Sequence, residues 1–184
     1  MVDNTSSIPS HNAQDIRKMV FASLFAAMTA VGAYIKIPIP VGPVPLTLQV
    51  LFVLLAGIML KSKWGAISML IYVLLGIVGL PVFAGGASGP GVLFGPTGGY
   101  LVGFMAAAFV VGFAAEHKGT SNVLLNAVFM AAGLGVIYLF GVIQLAVVAK
   151  LTVMQAIAAG ILPFLIGDFM TIIAGAYIAS RYKI

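Results

Sequence analysis

The 184-residue sequence has no cysteine, two histidines, one tryptophan and only four acidic residues. Without cysteine it can form no disulfide, thiolate metal site or thiol nucleophile. His11 and His117 fall in a polar stretch and a short connection, neither with a neighbouring ligand pattern, so no resident metal is expected. No histidine or paired carboxylate lies inside an apolar segment to activate a nucleophile, which argues against an enzyme. The glycines at 86–91 are spaced like a phosphate loop, but no Lys-Ser or Lys-Thr follows them. Nucleotide binding is therefore rejected, and no cofactor is expected. Charged residues make up 7% of the chain and hydrophobic residues 62%. A soluble domain has about 25% and 45–50%. The chain reads as an integral membrane protein with one polytopic domain, 17–184, after a polar cytoplasmic tail, 1–16.

A crossing takes about 20 apolar residues, within a range of about 17–25. Six candidates fit, at roughly 17–35, 46–60, 64–80, 98–115, 123–149 and 154–180. The second and third are short, and Pro163 is placed to kink the sixth. Nine basic residues stand against the four acidic ones. That excess need not mean nucleic acid, because the charges lie at span ends. Arg17, Lys18, Lys61, Lys63, Lys118, Arg181 and Lys183 share one side of a six-span chain, and Lys36 and Lys150 take the other. Positive charge favours the cytoplasm. The expected fold is an all-α six-transmembrane-helix bundle in the cell membrane, with both termini cytoplasmic.

The irregular segments then collect on the outer side. They are "KIPIPVGPVP" at 36–45 and "PVFAGGASGPGVLFGPT" at 81–97. Non-helical backbone at membrane depth is tolerated where it lines a cavity or is buried in protein. The expectation is a lid over a pocket; simple hairpin connections are the alternative.

Asp168 is the one acidic residue well inside a span. It lies about 20 Å before Arg181 along a helix, in the outer half of the membrane. A carboxylate there is costly and marks a functional site, unless it is protonated and bonded to a neighbouring helix. With no cation inside a span, a ligand with N–H donors is its expected partner. Thr171 shares its helix face. Thr47, Gln49 and Tyr100 are further polar candidates near the same side. Phe83 and Phe94 are candidates to cover an apolar ligand body, or for ordinary loop packing. Gly98 and Gly99 open a helix whose free N–H groups suit a carboxylate. The implied ligand is small and partly apolar, with an amide-like head and an acidic tail. Ala22, Ala26 and Ala30 form a small-residue stripe suited to close helix approach, either within the chain or with a partner.

"VPLTLQVLFVLLAG" (44–57), "GLPVFAGG" (79–86), "GPTGGYLVGF" (95–104) and "PFLIGDF" (163–169), in this order, resemble the BioY family. These are the biotin-binding S components of energy-coupling factor (ECF) transporters. The resemblance implies an outward pocket for biotin, with Asp168 holding its head and the 95–100 block nearby. It implies as partners a transmembrane coupling subunit and ATP-binding-cassette ATPases. It assigns docking on the coupling subunit to Ala22, Ala26 and Ala30. Family members commonly carry Lys where this chain has Thr171. An S component for another vitamin-like solute and a membrane-embedded structural or assembly subunit remain the alternatives.

Overall fold

A computed structural model describes residues 10–37, 44–120 and 122–182. The order is α1 (Ser10–Tyr34), β1 (Lys36–Ile37), β2 (Leu46–Thr47), α2 (Gln49–Ile77), α3 (Gly98–Lys118), α4 (Val123–Val148), α5 (Val153–Gly160) and α6 (Leu165–Arg181). Two single-turn 3-10 segments, Ala84–Gly86 and Pro90–Val92, sit in the connection before α3. Large apolar side chains remain exposed along the outer faces of the helices, among them Phe109, Leu139, Val147, Ile166 and Phe169. In lipid that surface needs no cover. Four helices are long and apolar enough to cross a membrane, and α5 with α6 makes a fifth, broken candidate. The protein is an all-α, multi-pass membrane protein.

α2 is counted once in that number, yet it does not run straight. Lys61 takes φ 73° and ψ 179°, outside helical geometry. The Gln49 Nε2 amide donates to the Tyr72 hydroxyl from the other end of the element. In a straight helix those residues would stand about 35 Å apart. The arms 49–60 and 62–77 therefore fold back on each other about a single residue. Glu116 of α3 fixes the elbow: its Oε1 accepts from the Ser62 backbone N–H at 3.0 Å and from the Ser62 hydroxyl at 2.8 Å. A carboxylate suits the exposed N–H groups that begin the second arm. Thus the separate segments expected at 46–60 and 64–80 are the two arms, joined by almost no loop.

α1 starts at Ser10, inside the stretch read as a polar tail, and its apolar span is Gln14–Tyr34. Residues 1–9, residues 38–43 of the first outer loop, and Lys183 lie outside the described residues. The expected kink at Pro163 is a full break of 54° between α5 and α6. Proline there withholds a backbone N–H and clashes with the preceding turn. Thr152 and Gln155 form a reciprocal capping box that starts α5,.

α2 is the hub: it packs against α1, α3, α4 and α6, while α4 also packs against α3, α5 and α6. Tyr72, Leu54, Ile58, Met69 and Val53 are fully buried between them. Ala22 and Ala26 are buried too, and Ala30 is partly buried against the core. The Ser68 hydroxyl from the second arm of α2 donates to the Ala22 carbonyl at 2.7 Å. The alanine stripe is thus covered by the protein's own α2. This packing is the within-chain alternative weighed for the stripe.

Candidate functional site

A cavity of about 400 Å³ lies where the β1–β2 hairpin, the 79–97 connection and the N-terminal parts of α2, α3 and α6 meet α4. Its lining is mostly apolar and aromatic: Val44, Leu46, Phe83, Val92, Leu101, Phe104, Ile137 and Phe164. Thr47, Gln49, Tyr100, Tyr138 and Asp168 add polar atoms, and Lys36 stands among the lining residues with its side chain exposed.

Asp168 lies in the first turn of α6 and is 3% exposed. The Tyr138 hydroxyl of α4 donates to its Oδ2 at 2.5 Å. A carboxylate has about four acceptor sites, so one phenol leaves capacity for a ligand's N–H groups. Placing the carboxylate here follows from the break before α6. Phe164 ends the break, and its carbonyl accepts the Asp168 backbone N–H at 2.8 Å. Ile166, Phe169 and Met170, around Asp168 on the same helix, are strongly exposed on the opposite face.

The other polar groups are tied down. The Thr47 hydroxyl donates to Gln49 Oε1 at 2.9 Å, Gln49 Nε2 donates to the Tyr72 hydroxyl, and Tyr72 donates to the Val82 carbonyl at 3.0 Å. This chain links the start of α2 to its second arm and to the outer connection. Tyr100 donates to the Gly160 carbonyl at 2.9 Å, at the break between α5 and α6. Gln49 and Tyr100 thus line the cavity while also bonding to the scaffold,.

Phe83 forms a wall. It is 1% exposed and meets the Tyr72 ring edge-on at 5.7 Å. Gly76 makes room for it: a Cβ there would stand 2.1 Å from the Phe83 ring. The glycines at 79, 85, 86 and 89 take positive φ, so the connection can double back above the cavity,.

Five of the eight expected substrate residues come together at the cavity: Asp168, Tyr100, Thr47, Gln49 and Phe83. Three do not line it. A Cβ on Gly98 would fall 1.9 Å from the Leu93 carbonyl, and one on Gly99 would fall 2.3 Å from the Phe140 carbonyl. These glycines let α3 pack tightly, and the Gly98 N–H is spent on the Gly95 carbonyl at 3.2 Å. Thr171 shares the helix with Asp168 but lies outside the lining. Phe94 is 79% exposed and is not among the lining residues.

A model described as the BioY family matches residues 5–184. The chain belongs to the BioY family. It is 45% identical over 168 residues to the biotin transporter BioY of Thermotoga maritima, covering 91% of this chain and 96% of that one. It is 42% identical over 167 residues to the probable biotin transporter BioY of Pyrococcus horikoshii, with the same coverage of each chain. Its fold is similar to a crystal structure of the S-component for biotin from an ECF-type ABC transporter. The TM-score is 0.86 at 26% identity, over 92% of both chains. A BioY protein is a transport component and not an enzyme.

Among the lining residues of this BioY chain not singled out as site residues from sequence are Tyr138 and Lys36. Tyr138 is a lone phenol in the most apolar span, and that was its only signal. Lys36 was weighed as a topology marker alone, although it lies two residues after the end of α1 and pairs with Thr47 across the two-residue ladder.

Proposed function

We propose that this chain is the substrate-binding S subunit of an ECF-type biotin uptake transporter in the cell membrane, with six crossings, cytoplasmic termini and a cavity open to the outside. The observation that carries this reading is a nearly fully buried carboxylate, bonded once by Tyr138, in a mainly apolar cavity. Biotin has complementary chemistry. Its ureido ring offers two N–H donors side by side, and its thiophane ring and alkyl chain suit aromatic walls. A transmembrane coupling subunit and ATP-binding-cassette ATPases supply the energy, since no nucleotide motif is present in this chain.

The test is calorimetric titration of biotin into the purified protein in detergent, for wild type and Asp168→Asn. Each hydrogen bond to a charged acceptor contributes about 1.5–3 kcal/mol. The amide also turns a donor towards the ligand's N–H. The expected loss is at least about 100-fold, or about 2.7 kcal/mol. Equal binding by the two proteins would make Asp168 a structural residue and move the site elsewhere.

A further inference from the structure

We propose that Lys36 determines specificity for the acidic end of the substrate, its ammonium receiving the ligand's carboxylate at the cavity mouth while Asp168 holds the other end at the floor. This deepens the biotin reading and rests on it.

Among the described lining residues, Asp168 is the one anion and Lys36 the one cation. The two differ sharply in depth: Asp168 is 3% exposed, whereas Lys36 is exposed. An elongated ligand with donors at one end and an acid at the other therefore has a single favourable orientation. The reverse pose would set carboxylate against carboxylate in a poorly hydrated space, which is strongly unfavourable.

The position of Lys36 is set by backbone. It pairs with Thr47 across the antiparallel β1–β2 ladder, and directly opposed residues share a face,. Thr47 lines the cavity, and Lys36 lines it beside Thr47. The Lys36 Nζ reaches the 84–86 turn, 3.3 Å from where a Cβ on Gly85 would stand. The side chain thus extends from the hairpin to the second outer connection, at the rim of the space a ligand must enter. Gly98 and Gly99, first expected to meet the acid tail at the start of α3, are not among the lining residues. Lys36 takes over that role.

Its effect is modest because the mouth is wet. An exposed ion pair contributes about 1 kcal/mol or less, and salt screens it. That makes Lys36 a discriminator, while the floor supplies most of the affinity.

The experiment compares biotin with biotinamide, its neutral carboxamide, by calorimetry on the full chain in detergent, at low and high sodium chloride. The proteins are wild type, Lys36→Gln and Lys36→Arg. Wild type should prefer biotin by about two- to fivefold. Lys36→Gln should lose that preference by weakening biotin alone, with biotinamide unchanged. Lys36→Arg should keep it. High salt should weaken biotin binding in wild type and leave Lys36→Gln unaffected. Equal loss of both ligands in Lys36→Gln would overturn the proposal, since the residue would then only support the rim. A wild type that binds both ligands equally well would overturn the role of Lys36 while leaving the biotin site standing. A wild type that binds neither would overturn the biotin reading itself, and Lys36 with it.

Discussion

Asp168 is kept in place by one phenol, and this makes Tyr138 the residue whose loss is easiest to read. Tyr138→Phe keeps the ring and removes the donor from a buried carboxylate. An unsatisfied buried group of that kind costs about 1–3 kcal/mol, at the upper end for a charge. The ligand-free protein should therefore melt earlier, and saturating biotin should recover part of the difference by supplying N–H donors in place of the phenol. Thermal unfolding in detergent with and without biotin checks this; an unchanged melting temperature would show that the bond carries no weight. Asp168 was legible in the sequence because a lone intramembrane charge is rare and expensive. Tyr138 was not, because a tyrosine in an apolar run fits a lipid-facing position as well as a buried one. Gly98 and Gly99 misled for a related reason. Glycine permits close approach by any group, and here the groups are the Leu93 and Phe140 carbonyls, not a ligand.

At the level of elements, hydropathy marked where apolar helices lie but not how they end. It placed α3 and α4 to within a few residues. It could not show that 46–60 and 64–80 meet at one left-handed residue, since lysine carries no turn signal of its own,. Proline at 163 did announce an interruption, but not the tie between Tyr100 and the Gly160 carbonyl beside it. The cavity wall also depends on an element-to-element fit that no local pattern encodes, between the second arm of α2 and the connection that follows it. Gly76→Val should expel the Phe83 ring from its seat, because even the first added carbon overlaps it. Overpacking of this kind costs about 1–3 kcal/mol or more. Biotin affinity should fall steeply although every polar cavity residue is intact. Calorimetry on the folded variant would decide, and wild-type affinity would show that Phe83 is not part of the wall a ligand needs.

For the molecule as a whole, orientation is the next property to measure. Basic residues gather at Arg17, Lys18, Lys61, Lys63, Lys118 and Arg181, so a reporter fused after Ile184 and one inserted at 61–63 should both read cytoplasmic,. A reporter inserted at 86–89 should read external. Any reversal would turn the cavity to the wrong side of the membrane for uptake. The elbow at Lys61 also has a consequence for biogenesis. Each arm of α2 is shorter than the roughly 20 residues that a single crossing takes. The turn between them has no polar loop to draw across the bilayer, only Lys61, Ser62 and Lys63, which are expected to stay with the side on which synthesis occurs,. The first arm on its own is a poor candidate for release from the insertion machinery into lipid. The two arms are expected to leave it together as a preformed pair, and Glu116, which fixes the elbow, is made only after both have emerged.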